Sequence, residues 1–494
     1  MLKLNSKKSE RGQAIVLIAV AMVGLIAMVG LMTDGGMMLI EYGKLKRAVD
    51  AAAISASQQF RRGFSGADLA DAAATFLNLN QSNASNIIVF RCKRDPNTGA
   101  LSTTNDGTVH DEDLCTLPRR KLVRVQATRT VQFGFMRVLG FQSANLTTSA
   151  VGEAASVDLV LAIDTSASMA FETWTGSGNN PNRADNDIED PAKCNVSVSN
   201  PCQPLTAVKN VADDFLDNMF FPYDRVAIVA MTNQLPNADP TDELPQTVLA
   251  LSSDEGAVRT ALGNLRAHQP PPCDLTSPTA SPAGACLNYN SSNVFIGLDC
   301  PPLRFGPDLK ANNADDSIKN PTTCGSSNIG GLFFQSAVEF TNGLREDSLW
   351  VILALVGGPA NRTNPAASFP DGYCPETTWY DVTSPYCRDA SATSRHGNGN
   401  SLYDADDYAR DMADYATDPV TGQGATVFTI GLGSLMRNTT RGDANAGELL
   451  MQYAAETAGG VSANHGQYFY SPDTAGLAAI FDAIARNIFT RISR

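Results

Sequence analysis

Asp164, Ser166 and Ser168 stand at alternate positions where the apolar run LVLAI, residues 159–163, gives way to small polar residues. A carboxylate and two hydroxyls at that spacing present three oxygens from one tight loop. Oxygen donors suit a hard divalent cation such as Mg²⁺, which takes few protein ligands in near-octahedral geometry and keeps other positions for water or an incoming group. The same side chains could also cap loop amides with no ion present. Covalent catalysis is poorly served, because a seryl nucleophile needs a neighbouring base. The chain has 4 histidines, His110, His268, His396 and His465, none in an H-E-x-x-H pattern, and it has no G-x-S-x-G elbow. His465, before GQYFYSP, is the candidate base at a relevant sheet end, and the chain is not expected to be an enzyme.

The run that ends in Asp164 is the first of a series. VDLVLAID, DRVAIVAMT, SLWVILALVGG, GATVFTIGLG and GQYFYSP read as buried strands. LTAVKNVADDFLDNM, EGAVRTALGNL, GGLFFQSAVEFTNGLR, ADDYARDMADYA, GELLMQYAAETAG and TAGLAAIFDAIARNIF read as helices between or after them. Apolar strands alternating with helices predict an α/β fold, a doubly wound and mainly parallel sheet covered on both faces. In such sheets ligands collect beyond the carboxyl ends of the strands, and Asp164 falls at such an end.

These residues resemble the von Willebrand factor type A family. Asp164-x-Ser166-x-Ser168 is similar to its D-x-S-x-S metal-ion-dependent adhesion site, and DRVAIVAMT, GSSNIGGLFFQSA, VFTIGLG and the closing AAETAGGVSANHGQYFYSPDTAGLAAIFDAIARNI extend the likeness over residues 156–494. The resemblance implies Mg²⁺ or Mn²⁺ on Asp164, Ser166, Ser168 and Ser327, with an open position for an acidic side chain of a protein partner. Ser327 stands where the family carries a threonine before Asn-Ile-Gly and keeps the hydroxyl. Val356 stands where the family's third loop carries an aspartate, a loss that should weaken cation binding.

The other end of the chain sets the compartment. Ala14–Met32 carries no charge over about 19 residues, enough to cross a bilayer core as a helix. Lys3, Lys7, Lys8 and Arg11 precede it and Asp34 and Glu41 follow, so the short N-terminus (1–13) is expected in the cytoplasm. Residues 14–34 then form a transmembrane helix, and the rest is exported from a single-pass anchor in the cell membrane. A cleaved signal peptide is the competing reading, although no small-x-small site follows promptly. Beyond the span, Met38, Tyr42, Leu45, Val49, Ala52 and Ala56 continue a helical stripe that would pack on the following module or on neighbouring subunits.

Residues 11–57, with Gly12, the apolar span, Asp34 and the Asp50-Ala-Ala-Ala run, resemble TadG-like proteins of the tight-adherence (Flp) pilus-assembly system. VQFGFMRVLGFQSANLTTSAVGEAAS, residues 131–156, resembles the segment that closes such domains. Between them SNIIVFRCKR and KLVRVQATRTVQF alternate apolar and polar residues and read as strands, so a TadG-like stalk and small α+β, pseudopilin-like module is expected over 35–155. The resemblance also implies a role in pilus assembly or surface adhesion, with pilus-assembly components as partners. Leu17 stands where related pseudopilins carry the glutamate read by prepilin peptidase, so a retained anchor is expected. A metal-free structural scaffold of the same machinery is the alternative function.

The 10 cysteines fall as near neighbours: Cys92 with Cys115, Cys194 with Cys202, Cys273 with Cys286, Cys300 with Cys324, and Cys374 with Cys387. In loop-like stretches of an exported chain they read as disulfides, with pairing left open by sequence alone. A net charge of −14 disfavours nucleic acid as a partner. The stretches near 171–203, 268–325 and 359–402 are long for connections and serve as binding loops or as stiffened decoration. Asp185–Asp190 lacks the glycine and distal glutamate of a Ca²⁺ loop and reads as a solvated turn. Asp404, Asp407, Asp411 and Asp414 read as a wet helix face, and Arg441-Gly442-Asp443 as a chance tripeptide.

Overall fold

The computed structural model describes residues 11–60, 63–80, 83–95, 98–171, 190–234, 244–273, 286–299, 327–345, 348–366, 394–438 and 444–492. The chain divides into two units, Met1–Ala154 and Ala155–Arg494.

The first unit is built on α1, Arg11–Gln58, a helix of 48 residues without a proline. Its first half is apolar all round and exposed, with Ile15, Leu17, Val23 and Leu31 open to the surroundings. The second half is amphipathic. Leu45, Val49, Ala52 and Ala56 are fully buried, as the stripe predicts, whereas Tyr42 stays exposed. This half packs on α2, Gly66–Leu79, and on β3, Lys121–Gln132, and β4, Ser143–Ala154. With β1, Ser85–Arg91, and β2, Val109–His110, they form a sheet of order β2-β1-β3-β4. β3 alternates as a half-covered strand should, with Val123, Val125 and Ala127 inward. Gly152 makes the close approach of β4 to α1 possible, since a methyl group there would lie 2.2 Å from Ala53 O.

The second unit carries a six-stranded sheet of order β12-β11-β10-β5-β6-β7. Its strands are β5 (Ser156–Ile163), β6 (Arg225–Ala230), β7 (Gln246–Ser252), β10 (Ser348–Val356), β11 (Thr426–Leu432) and β12 (Tyr468–Ser471). β12, β11, β10, β5 and β6 are parallel, and β7 joins the edge antiparallel to β6. The two remaining strands, β8 (Cys286–Tyr289) and β9 (Phe295–Asp299), form a separate hairpin.

Every residue of β5 is buried because apolar layers lie on both sides of it. Val160, Ala162, Ile352, Ala354 and Val356 point to the layer of α5 (Ile329–Asn342), α6 (Ala405–Thr417) and α7 (Ala446–Glu456). Leu159, Leu161, Ile163, Leu353 and Leu355 point to that of α3 (Leu205–Leu216), α4 (Glu255–Gly263) and α8 (Leu477–Ile492). This two-sided cover is the physical reason for unbroken apolar strands.

The amino end of the sheet is stitched by buried charge. Asp158 accepts from Arg225 at 2.9 and 2.7 Å, from Arg345 at 2.6 Å and from Ser348 Oγ at 2.6 Å. Disulfides join Cys92 to Cys115, Cys194 to Cys202 and Cys273 to Cys286, the three expected pairs whose cysteines are described. The pairs 300–324 and 374–387, residues 185–189 and the tripeptide 441–443 lie outside the described residues. Asp190, the last residue of the acidic turn, is buried, caps Ala192 N at 3.0 Å and accepts from Tyr289 Oη at 3.0 Å.

Candidate metal centre

Asp164 leaves β5 at its carboxyl end, and its amide donates to Leu355 O at 2.9 Å, which extends the β5–β10 ladder by one residue. The carboxylate is buried. Oδ1 accepts from Ser166 N at 2.9 Å and Oδ2 from Gly357 N at 2.9 Å. Burial pushes the carboxyl above its usual range, against the hydrogen bonds from Gly357 and Ser166. No cationic side chain is among the described groups that act on it. A buried carboxylate so placed favours a positive partner.

Ser166 and Ser168 stand beside it with their Oγ atoms 2.8 Å apart. The chain turns here through a short 3₁₀ segment, Ala167–Ala170, with Met169 N donating to Ser166 O at 2.9 Å. The loop is held from behind. Thr165 Oγ1 and Thr232 Oγ1 lie 2.7 Å apart, and His268 N donates to Thr165 O at 2.7 Å. Burial and the charge of Arg362 lower the His268 imidazole to about 4, so it is neutral behind the loop at ordinary pH.

Ser327 arrives from the loop before α5. Its amide donates to Asn361 Oδ1 at 2.8 Å, and Asn361 N returns a bond to Ser327 O at 3.1 Å. Asn328 caps α5 at Gly331 N, 2.8 Å, and its Nδ2 donates to Asn364 Oδ1 at 2.8 Å. The stretch after β10 therefore clamps the Ser327 loop. Gly357 and Gly358 lie between the two groups of donors: added methyls would stand 3.5 Å from Asp164 Oδ2 and 3.8 Å from Ser327 Oγ, respectively. Asp164, Ser166 and Ser168 are thus joined within one loop, and Ser327 lies by Gly358, the residue after the glycine that touches Asp164.

Val356, next along β10, is fully buried in the layer of α5, α6 and α7 and brings no donor. The Gly357 amide, Asn361 and Thr232 were not predicted. They serve the site through backbone position and inter-loop bonds, for which no local motif exists.

Two other expectations meet the structure differently. The aspartates of α6 are not a wet face: Asp404, Asp406 and Asp407 are buried at its amino end, while Asp411 and Asp414 bind Arg395 at 2.6 and 2.7 Å. Ala405, Ala409, Ala413 and Ala416 form the apolar stripe, and periodicity alone placed the acidic residues on the wrong side. His465 precedes Gly466, which packs against Val427 at the amino end of β11. Ser166 follows the carboxyl end of β5, so this histidine is at the opposite end of a parallel sheet from the hydroxyls.

Solved structures of similar shape include the pilus adhesin SpaC from Lactobacillus rhamnosus GG, 13% identical, covering 75% of this chain and 32% of that one with a TM-score of 0.35. The PilB minor pilin from Streptococcus sanguinis is 12% identical over 90% of this chain and 98% of that one, with a TM-score of 0.36. The vWF domain of the type V pili tip protein Mfa5 from Porphyromonas gingivalis is 16% identical over 69% and 97%, with a TM-score of 0.32. The chain thus spans about a third of the SpaC adhesin, at 32% of its length. No curated protein matches the sequence. Residues 12–59, the helix α1 with its apolar span, match the Tad family model, "Putative Flp pilus-assembly TadE/G-like".

Proposed function

We propose that the chain is a membrane-anchored, extracytoplasmic protein of pilus assembly or adhesion. Its residues 156–494 form a doubly wound type A domain that takes Mg²⁺ or Mn²⁺ on Asp164, Ser166, Ser168 and Ser327. The anchor is the apolar first half of α1, long and apolar enough to cross a membrane. The family match of residues 12–59 supports the pilus-assembly setting and pilus components as partners.

The observation that carries the cation reading is the hydroxyl pair beside the buried carboxylate. Two oxygens each about 2.05 Å from an octahedral Mg²⁺ lie about 2.9 Å apart. Ser166 Oγ and Ser168 Oγ are 2.8 Å apart, next to an Asp164 carboxylate whose described partners are amides and a hydroxyl. Asp164 would supply the anionic ligand, and Ser166, Ser168 and Ser327 neutral ones. A bound cation would offer its remaining position to a carboxylate on a protein partner. With one anionic protein ligand the ion keeps a net positive charge, which favours an acidic incoming group.

Calorimetric titration of the full chain in detergent with MgCl₂ tests this. Saturable heat that disappears in Asp164→Ala is expected. The second reading, a metal-free scaffold, is favoured by buried, apolar Val356 at the site's edge, and an absence of heat at millimolar cation would select it.

A further inference from the structure

The hairpin joining β3 to β4 has a composition that water does not favour. Its tip, Phe133–Gln142, reads FGFMRVLGFQ and holds one charge, Arg137. Turns are ordinarily polar because they face solvent. Here Phe135 is 48% exposed, Val138 88% and Phe141 58%.

The position of the tip supplies the reason. Phe135 packs against Gly30 of α1 so closely that a methyl at Gly30 would lie 2.6 Å from Phe135 Cβ. Gly30 belongs to the apolar span ending at Met32. At 1.5 Å per residue the contact lies about 3 Å inside the end of the span. The exposed apolar side chains of the tip are therefore continuous with the exposed apolar surface of the helix.

The backbone is prepared for the same surroundings. Asp34 is buried, and its carboxylate accepts from three successive amides, Gly134 at 2.9 Å, Phe135 at 3.0 Å and Met136 at 2.7 Å. Phe133 N donates to Gln142 O, Val138 N to Phe135 O, Gly140 N to Arg137 O and Phe141 N to Met136 O. Non-helical backbone reaches into a bilayer only where its polar groups are satisfied internally. The lone Arg137 bonds Gln132 Oε1 at 2.9 Å, at the base of the hairpin, where a long side chain can reach lipid headgroups.

We propose that this hairpin tip is a second membrane contact, dipping Phe135, Val138 and Phe141 into the leaflet beside the end of the span and fixing the rotation and tilt of α1. The inference rests on the reading of α1 as a membrane anchor. Asp34 is the positioning residue: it ties the tip to the helix and satisfies amides that lipid would leave bare.

The test uses the full chain in phosphatidylcholine vesicles, with Val138→Trp as the hairpin reporter and Leu25→Trp as the span reporter. Emission is read as the difference from the unsubstituted chain, which has 3 tryptophans. Lipids brominated near the headgroup end of their chains should quench the Val138 reporter and lipids brominated near the chain ends the Leu25 reporter, about 10 Å inside the end of the span, and iodide on both sides should quench neither appreciably. Phe141→Trp is a second hairpin reporter and should behave as Val138→Trp does. Bromolipid quenching at Leu25 only, with iodide quenching at Val138, overturns the hairpin contact and leaves the anchor standing. Quenching of the Val138 reporter by neither agent means a protein cover and also overturns it. Absence of bromolipid quenching at both positions overturns the anchor and the hairpin together.

Discussion

Asp164 and Val356 stand side by side on adjacent parallel strands at the carboxyl end of the sheet. Ile163 pairs with Leu355, and the Asp164 amide donates to Leu355 O at 2.9 Å. The Asp164 carboxylate faces the next position, Gly357, where an added methyl would stand 3.5 Å from Oδ2, while the Val356 side chain turns into the apolar layer of α5, α6 and α7. Gly357→Asp should therefore place a second carboxylate beside the first. Without cation the variant should be less stable than the parent, because the two carboxylates repel. With cation it should bind Mg²⁺ roughly tenfold more tightly, about 1.4 kcal/mol. Thermal melts with EDTA and with Mg²⁺ would show both effects. Equal melting temperatures in the two buffers would count against a cation between these strands.

The opposite end of the sheet makes a stability prediction. Asp158 is buried and joins Arg225 and Arg345. Removing one partner of such a cluster leaves uncompensated buried charge, at a cost of about 3–5 kcal/mol. Asp158→Ala should lower the urea midpoint accordingly without moving the Mg²⁺ affinity. A loss below 1 kcal/mol would show that solvent reaches the cluster.

The acidic amino end of α6 predicts a pH dependence. Burial, with the nearby Asp407 charge, pushes the Asp406 carboxyl up to about 6, against bonds from Asp404 and Arg410. A raised carboxyl means that the folded state holds the proton more tightly than the unfolded chain. Stability from this group is full below about pH 4 and is lost as the pH rises through about 6. Asp406→Asn should therefore stabilise the protein above pH 6, by up to about 3 kcal/mol, and have little effect below pH 4. His268 works in the other direction, its contribution present above 6.5 and lost as the pH falls through about 4. Melts of parent and variant at matched pH separate the two groups.

Asp34 predicts a local effect. Asp34→Ala removes the acceptor of the Gly134, Phe135 and Met136 amides. Hydrogen exchange at these amides should accelerate at least tenfold, while the amides of β3 paired with β4 stay protected. Unchanged exchange would mean that the hairpin tip keeps its shape without the helix.

The strands and helices around the site were legible because two-sided burial writes long apolar runs and helical stripes into the chain. β7 was not, since its residues are half-covered and give no clean period. The D-x-S-x-S spacing displayed Asp164, Ser166 and Ser168 because one loop supplies all three. Ser327 needed a family resemblance, its loop being held by Asn361, 34 residues further along the chain. The Asp158 cluster draws on Arg225 and Arg345, 67 and 187 residues away, and leaves no local trace. Asp404 and Asp407 were misplaced because helical spacing says which residues share a face but not which face is covered.

The most direct measurement is anomalous diffraction from crystals of residues 156–494 or of the full chain grown with Mn²⁺. The account predicts one strong anomalous peak about 2.0–2.2 Å from an Asp164 carboxylate oxygen and within reach of Ser166 Oγ and Ser168 Oγ, absent in Asp164→Ala. A well-ordered Asp164 with no anomalous density beside it in saturating Mn²⁺ would contradict the account.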